Sequence, residues 1–458
     1  MSRTAASFRV GMLLILLWGD SGHARELWNS GEAELTLDSQ IRLIGLTSRG
    51  TSSAALNAPF AENPTECGVF PTFAYAGFIN CPGWNAVNQE RVGLGYARLR
   101  LELAGRANEN WSAFIAVDNQ IEAGVFDDFS ASLSQGISTS TLVDASGQIT
   151  GENYLYRYSL YRGYLRFESR YFEAVIGRQR IPWGVGRLWN PIDRFNAIAP
   201  LQIQGESPGV DAVNLSVLFS DSLQLQAVFA PGANSSDHDY AGRLQGFIGT
   251  LDFGLMAGVF DEAPTVGIDL ATNLGGAAGR AEVIYTHPER NIWPTEASNS
   301  YTLPDFWQVI VSLDYNVDWG NGLYLLAEHL YNGNALGFGA GRAGPLLPLY
   351  QQTGGNPLLG EAPVGLVTPD RFGGSRVITL SSQLTGLQAG YDITPELKLS
   401  MVMIYDWDGE SAMFYPSITY SPLSWLEMTL AVQGTAGQKL SEYGDRPTTG
   451  FLLSNLYF

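Results

Sequence analysis

Apolar and polar residues alternate with a period of two from about residue 34. Leu35, Leu37, Ile41 and Leu43 share one face of an extended segment, and Glu34, Thr36, Asp38, Gln40 and Arg42 share the other. One face suits lipid and the other water. Residues 90–106 repeat the pattern, with Ala97, Leu99, Leu101 and Leu103 opposite Arg98, Arg100 and Glu102. Burying three charges in a soluble core is costly, so this polar face must be wet or densely paired. Continued along the chain, the pattern predicts further strands near 111–123, 154–167, 170–180, 209–220, 222–231, 239–249, 251–260, 265–273 and 277–287, then near 306–317, 322–332, 376–391, 396–407, 410–421, 424–434 and 449–458. That makes eighteen strands. An even count of strands of about 9 to 11 residues or a little more fits an all-β fold, a single transmembrane antiparallel β-barrel.

The connections support the same reading. Those after odd-numbered strands include 48–89, 124–153, 181–208, 288–305, 333–375 and 435–448, whereas those after even-numbered strands are tight, as at Ala107–Asn110, Glu168–Ser169, Asp221 and Pro422–Leu423. Short periplasmic turns and long extracellular loops alternate in this way in outer-membrane barrels, and both termini then face the periplasm. Trp111, Trp307, Tyr315, Trp319, Trp425, Tyr457 and Phe458 fall near strand ends, where interfacial girdles sit. The chain closes on the apolar and aromatic run from Thr449 to Phe458, which is expected to complete the barrel against the first strand.

Composition bears this out. Charged residues make up only 16% of the chain, against about 25% in an ordinary soluble protein, and 52 glycines accompany 12% aromatics. Arg3 and Arg9 precede the apolar stretch from Val10 to Trp18, and Gly22 and Ala24 supply small residues before Arg25. This is the layout of a secretory signal peptide spanning 1–24, leaving 25–458 as the barrel. A formal charge of −19 speaks against nucleic acid as a partner. Cys67 and Cys81, the two cysteines, lie in one Gly/Pro/Asn-rich segment of an exported chain and are expected to form a disulfide staple.

The inward face carries the function of such a barrel. The face opposite the apolar stripe presents Arg98, Arg100 and Glu102, then Asp118 and Gln120, then Arg162 and Arg166, with Arg243, Gln245, Arg280, Glu282, Gln308, Asp314 and Glu328 further on. Arg178 and Arg180 join this wall only if a bulge intervenes, because Phe172, Ala174 and Ile176 share their parity. Concentrated arginines point to an anion-attracting wall, since guanidinium binds carboxylate and phosphate bidentately. The competing reading pairs these arginines with Glu102, Asp118, Glu173 and Glu282 in a network that only holds the wall.

Gly177-Arg178-Gln179-Arg180-Ile181-Pro182-Trp183-Gly184, followed by Trp189-Asn190-Pro191-Ile192-Asp193, ends a strand and starts a shaped loop. With Pro208-Gly209-Val210-Asp211-Ala212 and the C-terminal hairpins, this segment resembles porin-like outer-membrane proteins of Gram-negative bacteria, broadly the alginate-export and similar porin families. The resemblance implies a monomeric barrel of about this strand number and, for alginate exporters, an arginine-rich pore.

No catalytic set assembles. His238, His287 and His329 lie near strand ends, and no G-x-S-x-G elbow or H-E-x-x-H pair is present. Asp406, Asp408 and Glu410 crowd one turn but lack the full calcium-loop spacing. The sequence therefore predicts a non-enzymatic channel without cofactor or metal. It would pass small polar or anionic solutes or an acidic saccharide, with outer-membrane lipid, lipopolysaccharide and the barrel assembly machinery as partners. A non-conducting structural, adhesion or assembly barrel is the alternative.

Overall fold

Strict alternation leaves each strand one apolar and one polar face, and only a closed sheet satisfies the backbone groups of every such strand without an edge. The computed structural model describes residues 25–30, 33–49, 91–124, 145–151, 154–195, 209–232, 238–288, 291–293, 301–302, 305–335, 377, 379, 381–437, 441–443 and 448–458. In chain order its barrel strands are β1 (Glu34–Arg49), β2 (Arg91–Arg106), β3 (Trp111–Gly124), β4 (Tyr154–Glu168), β5 (Phe172–Gln179), β6 (Val210–Ser220), β7 (Leu223–Ala230), β8 (Asp239–Ile248) and β9 (Leu251–Phe260). They continue as β10 (Ala263–Leu274), β11 (Ala277–Thr286), β12 (Phe306–Val317), β13 (Leu323–Asn332), β14 (Gln383–Thr394), β15 (Leu397–Asp406), β16 (Ser411–Leu423), β17 (Leu426–Ala436) and β18 (Thr449–Tyr457). Each pairs antiparallel with its neighbours in sequence, and the described residues contain no helix. This is a closed 18-strand barrel.

Closure is made by β18 on β1, from Gln40 opposite Tyr457 to Ser48 opposite Thr449. The last residue takes part: Phe458 N–H donates to Ser39 O at 2.9 Å, and Ser39 N–H donates to Phe458 O at 3.1 Å. Beyond the end of β18 the short strand Arg25–Asn29 takes over the free edge of β1, pairing from Leu37 to Glu34. A second short strand, Ser146–Thr150, pairs with Leu155–Ser159 of β4.

The outward face is an apolar belt, with Ile115, Leu165, Leu255, Val311, Leu430 and Leu452 all exposed. Aromatic pairs stand near the strand ends, among them Trp111 with Phe167 at 4.9 Å and Trp319 with Tyr391 at 5.4 Å between ring centroids. At the short-turn end, Asn108 Oδ1 accepts from the N–H groups of Asn110 and Trp111, which fixes the β2–β3 turn. The long-loop end also holds tight connections. Asp261 and Glu262 alone join β9 to β10, with φ of 50° and 63°, and Asp239 Oδ1 steadies them by accepting Asp261 N–H at 2.8 Å.

The fourteenth strand begins later than 376, at Gln383. The residues before it are buried, and side chains from the wall and from the β17–β18 connection take their backbone groups. Gln308 Nε2 donates to Val377 O at 3.2 Å, and Ser381 N–H donates to Glu442 Oε2 at 3.1 Å. The expected signal peptide (1–24), the 48–89 connection apart from its first two residues, and its Cys67 and Cys81 lie outside the described residues.

Candidate functional site

Strand β5 ends at Gln179, and the chain then crosses the barrel interior. Ile181, Trp183, Leu188, Trp189, Ile192 and Phe195 are all buried there. An apolar loop inside a polar tube needs partners for its backbone N–H groups, and two wall carboxylates supply them. Glu282 on β11 accepts from Val185 N–H at 2.5 Å, Gly186 N–H at 2.8 Å and Ile192 N–H at 3.1 Å. Glu328 on β13 accepts from Arg187 and Leu188 N–H at 2.8 Å and from Trp189 N–H at 2.7 Å. Charge-assisted bonds of this kind are about twice as strong as neutral ones.

Side chains complete the attachment. Trp183 Nε1 donates to Gln226 Oε1 on β7 at 2.6 Å, and Arg194 Nη2 donates to Thr286 Oγ1 on β11 at 2.9 Å and to Gln308 Oε1 on β12 at 3.3 Å. Phe195 packs on Phe260 of β9 with centroids 5.3 Å apart. Leu188 and Trp189 lie over Gly386 of β14, where any Cβ would collide with Leu188. Gly184 turns the loop at φ 84°, and a side chain there would strike Asn190 and Glu282.

The loop thus reaches from β7 to β14. Inward positions on that side are accordingly apolar, with Ile284, Ile310, Leu326, Leu330, Val402 and Ile404 buried against it or its neighbours. Here the inner face is not polar throughout, because these strands serve as a core for the loop.

The wall away from these anchors is rich in arginine. Register places Arg42 directly opposite Arg98, Arg98 opposite Gln120, and Gln120 opposite Arg157. Asn455 faces Arg42 from β18, and its Oδ1 accepts from Arg42 Nε at 2.7 Å. The row ends on a carboxylate, since Glu427 of β17 stands opposite Asn455 and accepts from its Nδ2 at 3.0 Å. Arg98 is 3% exposed, its Nε finds no hydrogen-bond partner, and Nη2 makes a long bond of 3.4 Å to Gln40 Oε1. One row nearer the short turns, Arg100 holds Asp118 bidentately at 2.6 and 2.9 Å, so Arg98 reaches that carboxylate only at 4.0 Å. The Arg100 guanidinium also stacks over the Tyr161 ring, 3.4 Å from its centroid.

Arg162 faces inward opposite Ala116, in the row of Glu102 and Asp38, and Arg166 is paired with Glu173 at 3.1 Å. Two of the arginines expected on the wall stand elsewhere. Neither ladder of β5 contains a bulge, so Arg178 shares the face of Ile176 and Val213. It holds Asp211 at 2.8 and 3.1 Å and donates to Leu160 O at 2.7 Å, which makes it a strut within the wall. Arg180 lies beyond β5 and is exposed at the start of the inward loop. The bulge is in β4 instead, between the partners of Ala116 and Val117. It reverses the parity of the residues before Tyr161 and turns Arg157 inward, which alternation alone does not reveal.

Asp406 and Asp408 serve as turn caps. Asp406 accepts from the N–H groups of Asp408, Gly409 and Glu442 and from Ser411 Oγ, at 2.9 to 3.2 Å. Asp408 Oδ2 accepts from Ser382 N–H at 2.6 Å and Gln383 N–H at 3.2 Å. These carboxylates bind three connections together at the long-loop end.

OccAB1 of Acinetobacter baumannii is similar in fold, with a TM-score of 0.50 at 8% identity over 96% of this chain and 99% of that one. OccK9 (OpdG) of Pseudomonas aeruginosa gives 0.50 at 10% identity over 93% and 98%. A BenF-like porin from Pseudomonas fluorescens Pf-5 gives 0.49 at 10% identity over 93% and 98%. No family model and no curated protein matches the chain.

Proposed function

We propose that the protein is an outer-membrane channel that admits small anionic or polar solutes through a lumen narrowed by the 180–195 loop. The observation that carries this reading is the concentration of Arg42, Arg98 and Arg157 on inward positions of one side of the wall, with Arg42 directly opposite Arg98. Like charges directly opposite each other destabilise a sheet. A wall built only for stability would alternate their signs, as Arg100 and Asp118 do. Guanidinium groups crowded beside a narrowed lumen raise the local concentration of anions and offer them bidentate contacts.

The exposed apolar belt and its aromatic margins suit a bilayer. The long loops then face outward and the short turns and both termini face the periplasm. Lipopolysaccharide would meet the outer aromatic margin, and the barrel assembly machinery would receive the chain in the periplasm. The 1–24 segment acts as the export signal.

Planar-bilayer recording tests the reading. Purified protein is expected to give ion current and, in a KCl gradient, a reversal potential showing chloride preference. Absence of current with the loops intact would overturn the channel in favour of a non-conducting barrel working through its loops.

A further inference from the structure

The bulge in β4 gives two consecutive residues the same face. Arg162 pairs with Ala116 and Leu160 with Val117, so Tyr161 has no partner on β3 and turns into the barrel beside Arg162. A regular strand alternates its faces and cannot place two successive side chains in one lumen. Two contacts fix the bulged backbone: Arg178 Nη1 donates to Leu160 O at 2.7 Å, and Gly209 N–H donates to Tyr161 O at 3.4 Å. Arg178 stands at the end of β5 and Gly209 just before β6, so the bulge is held from both ends of the connection that contains the 180–195 loop.

The Tyr161 ring is buried and meets two guanidinium groups. Arg100 lies over it, 3.4 Å from the centroid, and is itself held by Asp118 at 2.6 and 2.9 Å. Arg162 stands 4.8 Å from the same centroid and donates from Nη2 to the phenol oxygen at 3.2 Å. A guanidinium beside an aromatic ring gains cation–π attraction and keeps part of its N–H edge for a further acceptor. Among the described residues, the Arg162 guanidinium makes this one hydrogen bond and no ion pair. Glu102 shares its register row but stands beyond Ala116, and Asp118 is engaged by Arg100. Arg162 is half-buried on its inward position.

We propose that Tyr161 is a positioning residue for ion selectivity. Its ring rests on the Arg100–Asp118 pair and holds the Arg162 guanidinium on the lumen face, where the charge gathers passing anions. Arg162 is then a selecting cation one inward row nearer the short turns than Arg100. The inference rests on the channel reading above and assigns two further residues to it.

Reversal potentials in a KCl gradient give the chloride-over-potassium permeability ratio of single assembled channels. Tyr161→Leu is expected to lower that ratio about twofold, because the guanidinium loses its platform and its hydroxyl acceptor. Tyr161→Phe keeps the ring and is expected to restore most of the loss. Arg162→Gln should lower the ratio as far as Tyr161→Leu does, and the double variant should fall no further, since the two residues act as one unit. A residue that served the wall alone would change the yield of folded barrel and leave the ratio at the wild-type value. A wild-type ratio in Tyr161→Leu or in Arg162→Gln therefore overturns the inference and leaves the channel reading standing. So does a double variant that falls by the product of the two single effects, or a Tyr161→Phe channel no better than Tyr161→Leu. Should Tyr161→Leu fail to assemble, Tyr161→Met takes its place, with bulk but no ring. Absence of current from wild-type protein overturns both readings.

Discussion

Arg42 and Arg98 stand directly opposite each other across the β1–β2 ladder, both buried, with Gln120 and Asn455 rather than carboxylates as their neighbours in the row. Burying a charge without a partner is costly. Arg98 leaves its Nε without a hydrogen-bond partner, whereas one row further Asp118 engages Arg100 through both oxygens. Under the proposed channel reading, the upper row selects and the lower one holds the wall.

The joint variant Arg42→Gln plus Arg98→Gln is therefore expected to reduce chloride-over-potassium preference severalfold while the barrel still assembles, because two guanidinium charges leave the lumen. Reversal potentials in a KCl gradient measure it. An unchanged reversal potential would show that the row does not select.

Removing the loop's anchors should widen the pore. Glu328→Ala leaves the N–H groups of Arg187, Leu188 and Trp189 without their acceptor. Stability is expected to fall by about 2–5 kcal/mol, measured by denaturant unfolding in detergent. Single-channel conductance should rise and become noisier. Conductance at the wild-type level would mean that the apolar contacts over Gly386 hold the loop without Glu328.

Arg178→Ala provides the contrasting case. It strips Asp211 of its bidentate partner and leaves Leu160 O without its guanidinium donor. Breaking a buried pair costs about 3–5 kcal/mol, so denaturation should come markedly earlier. Ion preference should not change, since Arg178 stands off the lumen wall; a shift in reversal potential would return it to the pore.

Deleting Phe458 removes two backbone hydrogen bonds to Ser39 at the closing seam. The yield of folded barrel is expected to drop while the conductance of those barrels that do form stays at the wild-type value. Quantifying folded protein in membranes checks the first part, and bilayer recording checks the second. Assembly at the wild-type level would show that the β1–β18 ladder closes without its last residue.

The barrel was legible in the sequence because its cause is local. Alternation with period two and the sorting of long and short connections located all eighteen strands, and the aromatic run at the C-terminus fell where β18 pairs with β1. The inward parity of Arg98, Arg100, Asp118, Glu282 and Glu328 followed from the same period. What parity cannot show is which inward groups meet. A bulge at Tyr161 turned Arg157 into the lumen, and its absence from β5 kept Arg178 out. Glu282 and Glu328 read as pore-lining charges, yet they hold the backbone of a loop more than ninety residues earlier in the chain for most of their bonds. Backbone N–H groups leave no trace in residue type, so only the folded chain could pair them with those two carboxylates. The sequence by itself determined the strands, their faces and the turn that starts the loop at Pro182 and Gly184. The tertiary structure decided where that loop lies, which arginines turn into the lumen, and on which side of it they stand, because each depends on contacts between strands far apart in the chain.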